Sequence, residues 1–174
     1  ERQPVYQLLD GTLRKVRAYA TSGDIELTAA HGYTAMKLSH RGSSTVGNTG
    51  ESVETAAQGE DAAEAALAAA RDALGDQADL MVDCYLSWDA ELAERMASRL
   101  GPYRVRWFED VLTPDHLEEL AALRPRVAPI QLAGGEHEMT EAGFARAAAA
   151  GGGTGALDVW QPDITWCGGI SAAL

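Results

Sequence analysis

The sequence is poor in cysteine, in long apolar runs and in positive charge. Its two cysteines, Cys84 and Cys167, have neither the spacing of a disulfide framework nor that of a zinc motif, so we expect both to be reduced thiols in a cytoplasmic protein. No apolar run approaches the roughly 20 residues that span a bilayer. The first residues lack the basic and apolar regions of a signal peptide. We therefore expect neither a membrane span nor a secretory leader.

The charge balance is strongly acidic. Lysine and arginine number 14 against 26 aspartates and glutamates, which gives a formal net charge of −12. This balance argues against nucleic acid or an anionic membrane as a partner, because their phosphates repel a negative surface. A small anionic substrate is compatible with it, since a bound metal ion can dominate the local field. The 174 residues are 46% hydrophobic and suit one globular domain with a sizeable core.

Strand patterns and helical patterns alternate along the chain. We expect strands over 16–20, 35–38, 80–82, 105–108, 129–132 and 157–160, helices over 24–30, 60–74, 89–100, 113–123, 140–150 and 168–174, and a long loop over 40–58. Asp89, Thr113 and Thr140 are the expected N-caps of three of these helices. Six such units are typical of a parallel α/β fold, either a doubly wound sheet or a barrel. Because no G-x-G-x-x-G follows the first strand, we favour the barrel. A complete one needs about 250 residues, so we predict an incomplete TIM-type (β/α) barrel.

Three acidic residues occupy the same place in three consecutive units. Asp83 ends the third predicted strand, Glu109 ends the fourth and Glu136 follows the fifth, at separations of 26 and 27 residues. In a barrel the carboxyl ends of the strands converge on one face, where three ionised carboxylates repel one another. A hard divalent cation relieves this repulsion, and Mg²⁺ prefers oxygen ligands. We predict a Mg²⁺ site there; the simpler alternative is that the acids are solvated loop residues or helix N-caps.

Several sequence phrases carry a resemblance to a known family. They are YATSG (19–23), GYTAMKLSHRG (32–42), LMVDCYLSWD (80–89), RWFED (106–110), GGEHE (134–138) and WQPDITWCGGISAAL (160–174). Together they resemble the enolase superfamily and, within it, the acid-sugar dehydratases of the mandelate racemase group, the L-rhamnonate dehydratases above all. The resemblance implies a (β/α) barrel in which Asp83, Glu109 and Glu136 are the Mg²⁺ ligands.

The resemblance also implies a reaction. Mg²⁺ bound to the carboxylate of an acid sugar stabilises the enediolate that forms when the α-proton leaves, and loss of the β-hydroxyl then gives a 2-keto-3-deoxy sugar acid. In these dehydratases the base is a histidine on strand seven, and an aspartate at the end of strand six orients it. Asp163 matches that aspartate. Without the resemblance, Asp163 is equally well a turn residue after Pro162.

By the same resemblance, the 174 residues are part of a C-terminal barrel domain. An N-terminal capping domain, barrel strands seven and eight and the histidine base are expected in the family and are not contained in this sequence. We therefore predict that this chain alone lacks dehydratase activity. The full-length protein is expected to be a cytoplasmic homo-oligomer that acts on a small-molecule acid-sugar substrate.

Lys37 and His137 are further candidates for substrate binding. Relatives in the superfamily have a Lys-x-Lys pair at the end of strand two, whereas this chain has the single lysine of Lys37-Leu38-Ser39, which either contacts the substrate carboxylate or forms a salt bridge. His137 follows Glu136 and either hydrogen-bonds the substrate or a metal ligand, or has a structural role. Two other functions remain open: a racemase, epimerase or cycloisomerase on the same metal scaffold, and a noncatalytic metal-binding paralogue that lost its base.

Overall fold

Residues 3–40 and 56–173 are described by a computed structural model, and within them lie six strands, seven α-helices and one short 3-10 helix (Gly101–Tyr103). The strands are β1 (Ala20–Thr21), β2 (Ala35–Ser39), β3 (Asp79–Asp83), β4 (Val105–Glu109), β5 (Gln131–Gly134) and β6 (Val159–Trp160). The helices are α1 (Val5–Leu8), α2 (Ile25–Ala30), α3 (Ala56–Leu74), α4 (Ala90–Leu100), α5 (Leu117–Val127), α6 (Glu141–Gly153) and α7 (Ile170–Ala173). From β1 to β6, a helix separates each strand from the next.

All six strands are parallel, and their order in space is their order along the chain, β1 to β6. A doubly wound sheet reverses its strand order at a switch point, whereas a TIM-type barrel adds each new strand beside the last. The consecutive order is that of the barrel. The predicted TIM-type arrangement of about six β/α units is therefore confirmed, and it brings the carboxyl ends of neighbouring strands together.

Alternate residues of the strands face opposite sides of the sheet, as the period of two requires. The outer face packs against α3 to α6 and contributes the strand residues of the main hydrophobic core, which include Met36, Leu80, Phe108 and Leu132. The inner face carries a smaller cluster formed by Ala35, Met81, Trp107 and Ala133. Outer-face strand residues therefore pack against the helices, and inner-face strand residues line the interior of the barrel.

Three helices begin at side-chain caps. The side chains of Asp24, Asp89 and Thr140 each accept a hydrogen bond of 2.7–3.0 Å from the backbone N–H three residues later. Such a bond satisfies one of the free N–H groups of the first helical turn. The N-caps predicted at Asp89 and Thr140 are confirmed.

The N-cap predicted at Thr113 is wrong. The backbone N–H of His116 donates to the carbonyl oxygen of Thr113 at 3.0 Å, which closes a turn, and α5 begins only at Leu117. The first predicted strand is also too long, because β1 contains only Ala20 and Thr21 and the side chain of Val16 is 87% exposed.

Several further boundaries differ from the sequence-based expectation, among them the end of α5 at Val127 instead of residue 123 and the beginning of β6 at Val159 instead of residue 157. β5 runs over Gln131–Gly134, two residues later than expected, and α3 already begins at Ala56. Residues 41–55 of the predicted loop lie outside the described residues. Within the described ranges, no helix combines the length and the apolar character needed to cross a membrane.

Candidate metal centre

Asp83 and Glu109 stand side by side at the carboxyl ends of β3 and β4. They are direct partners in the strand register, and each follows an inner-face residue of its strand by two positions, so both belong to the inner face. Asp83 is 8% exposed and Glu109 is 1% exposed. Carboxylates this deeply buried require polar or charged partners inside the protein.

Lys37 is the cationic partner of both carboxylates. It lies on β2, and its ammonium group forms an ion pair with Glu109 Oε1 and another, at 3.3 Å, with Asp83 Oδ2. Burial lowers the pKa of Lys37, but the hydrogen bond and charge of Glu109 and the charge of Asp83 outweigh this, and the pKa is raised overall. The structure therefore contains the salt bridges that were one of the two alternatives for Lys37.

The remaining oxygens of the two carboxylates are hydrogen-bonded to neutral groups. Glu109 Oε2 accepts from the indole N–H of Trp107 at 3.1 Å and from the side-chain amide of Gln161 at 2.9 Å. Asp83 Oδ1 accepts from the backbone N–H of Tyr85 at 3.2 Å. Because Gln161 follows β6, Glu109 is connected to side chains from β2, β4 and the end of β6.

Glu136 lies in a second group of ligand atoms, after β5. His137 Nε2 is 3.4 Å from Glu136 Oε1 and 3.3 Å from Asp110 Oδ2. One ligand atom from each of these three residues lies within 4.8 Å of the others, an arrangement that could hold a metal ion. The structure thus places Glu136 and His137 together, as adjacent candidates, and adds Asp110, which sequence reasoning missed.

Asp110 connects the two groups electrostatically. Burial raises its pKa to about 7, with help from the charge of Glu136 and smaller contributions from Glu109 and Asp83, while His137 opposes the rise. All three predicted metal ligands therefore act on the same carboxylate. The sequence contained a signal for Asp110, the second acid of the phrase Trp107-Phe108-Glu109-Asp110. Two adjacent acids at the end of a buried strand are costly to bury and therefore indicate a functional site.

The backbone around Asp110 is shaped for its burial. Asp110 has φ of 49°, in the left-handed region that few residues other than glycine adopt, although aspartate is among the more tolerant. A Cβ atom at Gly134 would lie 3.0 Å from Asp110 Oδ1 and 3.5 Å from Leu157 Cδ2. Tyr85 and Leu86, just after β3, also have positive φ values. Strain of this kind is often concentrated at functional sites.

Glu138 has a structural role, unlike Glu136 two residues earlier. Its Oε1 atom accepts hydrogen bonds from the backbone N–H groups of Met139 and Thr140 and from the Thr140 hydroxyl, at 2.8–3.1 Å. Gly143 leaves room for this carboxylate, since a Cβ there would lie 1.8 Å from Glu138 Cδ. The carboxylate of Glu138 is therefore held at the beginning of α6.

Asp163 forms a turn of its own after β6. Its Oδ1 atom accepts from the backbone N–H of Thr165 at 2.7 Å and from the Thr165 hydroxyl at 2.6 Å, and the hydroxyl bond in particular lowers the pKa of Asp163. This is the turn arrangement that sequence reasoning gave as the alternative. The role of Asp163 in orienting a histidine base stays a prediction, because that histidine is not in this sequence.

The donor set fits a hard divalent cation. Four carboxylates lie at this end of the sheet in two neighbouring groups: Asp83 and Glu109 around Lys37, and Asp110 and Glu136 around His137. The pKa of Asp110 is raised first by burial and then by the negative charges of Glu136, Glu109 and Asp83. Gln161 Oε1 is buried and, among the described residues, has no hydrogen-bond partner, so an acceptor oxygen is also available there. Oxygen atoms and excess negative charge are what Mg²⁺ requires of its ligands.

Comparison with known proteins gives a family match and several similar proteins. Residues 24–174 match a protein family described as enolase C-terminal domain-like. An L-rhamnonate dehydratase of Saccharopolyspora erythraea is 32% identical over 174 residues, which cover 98% of this chain and 41% of that protein. The chain spans about two fifths of the length of the curated relatives it matches.

Two solved structures are similar in both sequence and fold. An enolase from Bradyrhizobium, complexed with magnesium and mandelic acid, is 31% identical with a TM-score of 0.77, over 98% of this chain and 45% of that one. A racemase from Streptomyces coelicolor with bound magnesium is 28% identical with a TM-score of 0.74, over 98% of this chain and 48% of that one. The predicted resemblance to the enolase superfamily is confirmed, and the chain belongs to the enolase C-terminal domain-like family.

Proposed function

We propose that this chain is the metal-binding part of a Mg²⁺-dependent dehydratase that converts an acid sugar similar to L-rhamnonate into a 2-keto-3-deoxy sugar acid. One observation carries the proposal: the buried carboxylates of Asp83 and Glu109 lie side by side where the parallel strands β3 and β4 end, and the half-exposed carboxylate of Glu136, after β5, acts with them on the pKa of Asp110. The L-rhamnonate dehydratase that is 32% identical to the chain supports the choice of substrate class.

In this proposal the chain's own residues have separate tasks. Asp83, Glu109 and Glu136 hold the metal ion, and Asp163 orients the histidine base. Bound Mg²⁺ supplies positive charge to the substrate carboxylate and so makes the adjacent C–H group more acidic. In this proposal Lys37, which is paired with Asp83, and His137, which lies beside Glu136, contact the polar groups of the substrate. The cytoplasmic location and the homo-oligomer of the full-length protein stay predictions from the sequence.

The metal site is tested first, with the 174-residue chain and MgCl₂ in isothermal titration calorimetry. Glu136→Gln is compared with Glu138→Gln, which makes the same chemical change two residues away, in a residue that is hydrogen-bonded to the backbone just before α6. We expect Glu136→Gln to weaken Mg²⁺ binding at least about tenfold and Glu138→Gln to leave it within about twofold of the wild-type chain. Equal effects of the two substitutions, or no Mg²⁺ binding by the wild-type chain and by every variant tested, would contradict the proposed site.

The reaction is tested with the full-length protein. With L-rhamnonate and MgCl₂, we expect release of a 2-keto-3-deoxy acid. This product is measured by the absorbance of its semicarbazone. The magnesium-bound racemase that is 28% identical to the chain supports a second candidate, a racemase or epimerase. In D₂O, exchange of the α-proton without loss of water would favour this second candidate. Mg²⁺ binding without either reaction would favour a noncatalytic paralogue.

A further inference from the structure

Lys37 and a divalent cation need the same oxygen atoms. The ammonium group of Lys37 occupies one oxygen of each buried carboxylate, Glu109 Oε1 and Asp83 Oδ2. The second oxygen of each carboxylate already accepts from a neutral group, so all four have a protein donor. A metal ion that uses both carboxylates must therefore take oxygens that are now hydrogen-bonded.

The ammonium group is the donor that is easiest to displace. The donor on Asp83 Oδ1 is the backbone N–H of Tyr85, which the turn after β3 fixes in place. The indole of Trp107, one of the donors on Glu109 Oε2, lies in the inner-face cluster and in edge-to-face contact with Tyr19. The lysine side chain, in contrast, has four rotatable carbon–carbon bonds and can turn its ammonium group away.

A charge argument points in the same direction. Lys37 is only 7% exposed, and two ion pairs compensate its burial. It also compensates the two carboxylates, which lie side by side in the strand register and would otherwise repel each other. A divalent cation at the same carboxylates performs this compensation itself, and the two positive charges then repel across a few ångströms.

From these contacts we propose that Lys37 is a tethered competitor of the metal ion. Its ammonium group neutralises Asp83 and Glu109 when the metal is absent and leaves at least one of them when the metal binds. The inference rests on the proposed Mg²⁺ site. It goes beyond that site because it predicts whether loss of the Lys37 charge raises or lowers the affinity for Mg²⁺. Loss of the lysine charge should strengthen metal binding, whereas a lysine that only supports the metal ligands should weaken binding when it is lost.

The test uses the 174-residue chain, its Lys37→Met variant and MgCl₂ in isothermal titration calorimetry. Methionine keeps an unbranched side chain of similar length without the charge. We expect Lys37→Met to bind Mg²⁺ at least about fivefold more tightly than the wild-type chain. Lys37→Arg, which keeps the charge, and Lys15→Met, at an exposed position, are expected to stay within about twofold of the wild type.

A second measurement does not depend on the calorimeter. Without its counter-charge, the Lys37→Met chain should unfold at lower urea concentration in EDTA, and MgCl₂ should raise its midpoint more than it raises that of the wild type. If this variant fails to fold, Lys37→Gln replaces it, because its amide can still donate to Glu109, and the same direction is expected.

The outcomes are distinct. Unchanged or weaker Mg²⁺ binding by Lys37→Met, with normal binding by the wild type, overturns the competition and leaves the metal site intact. Tighter binding by both Lys37→Met and Lys37→Arg overturns the charge argument. Absence of binding in the wild type and in every variant overturns the metal site and the competition together. Binding that appears only after Lys37→Met supports the competition strongly.

Discussion

The charge of Asp110 is expected to weaken the fold as the pH rises, and Asp110→Asn should remove this effect. Asn has nearly the same shape as the protonated carboxyl group and tolerates the left-handed backbone that Asp110 adopts, with φ of 49°. The substitution therefore changes the charge of a buried group and little else. Its effect on stability should depend on pH.

The sign and size follow from the pKa of Asp110. In the folded chain the carboxyl group keeps its proton up to about pH 7, because it is buried beside Glu136, whereas its ordinary pKa is 3.8. Between these values the folded state binds more protons than the unfolded state, so the free energy of unfolding falls as the pH rises. At about 1.36 kcal/mol per pH unit, the loss is on the order of 4 kcal/mol, of which about 3 kcal/mol falls between about pH 5 and pH 8.

The assay is urea unfolding in EDTA, followed by the fluorescence of buried tryptophans such as Trp88 and Trp107. We expect the stability of Asp110→Asn relative to the wild type to be higher at about pH 8 than at about pH 5 by about 3 kcal/mol. Asp115→Asn, at an exposed position, serves as the control. If the relative stability of Asp110→Asn is the same at both pH values, the electrostatic account of this cluster is refuted.

Two further substitutions test the packing that positions the site. Gly143→Ala should displace the carboxylate of Glu138 from the beginning of α6 and lower the free energy of unfolding by about 1–2 kcal/mol in urea titrations, since the hydrogen bonds of this carboxylate to Met139 and Thr140 are lost; an unchanged midpoint would contradict this. Phe108→Ala removes a fully buried ring that packs edge-to-face on Trp88, and thermal unfolding should give a loss of about 3–5 kcal/mol. A loss below about 1 kcal/mol would mean that the core rearranges to fill the space.

The sequence was informative where a local pattern determines the structure. Short apolar strands separated by helical patterns predicted the parallel β/α arrangement, and the spacing of Asp83 and Glu109 predicted that they lie together. Both predictions need only the register of neighbouring strands, which the equal length of successive β/α units conveys. The N-caps at Asp89 and Thr140 were predictable for the same reason, because each acts on the backbone three residues away.

The rest of the site depends on lateral contacts that a linear pattern does not contain. Glu109 and Asp110 are adjacent, so strand periodicity alone would send them to opposite faces. The strand ends at Glu109, and the left-handed conformation of Asp110 turns its side chain towards His137 instead. The ion pairs of Lys37 likewise join residues that are distant in the sequence, since their partners are Asp83 on β3 and Glu109 on β4, the latter 72 residues away. The beginning of α5 was predicted wrongly for another reason. Residues 113–116 form a turn, in which the carbonyl oxygen of Thr113 accepts from the N–H of His116, so Thr113 does not cap the helix.

The alternation along β4 has an evolutionary consequence. Phe108 belongs to the hydrophobic core, whereas its neighbours Trp107 and Glu109 belong to the inner face. Selection for a stable protein and selection for a chemical activity therefore act on adjacent codons with little interference. A lineage can exchange the inner residues and acquire a new substrate or reaction while its outer residues keep the fold intact. The same scaffold can in this way serve both dehydratases and racemases, with the changes concentrated at every second position near the carboxyl ends of the strands.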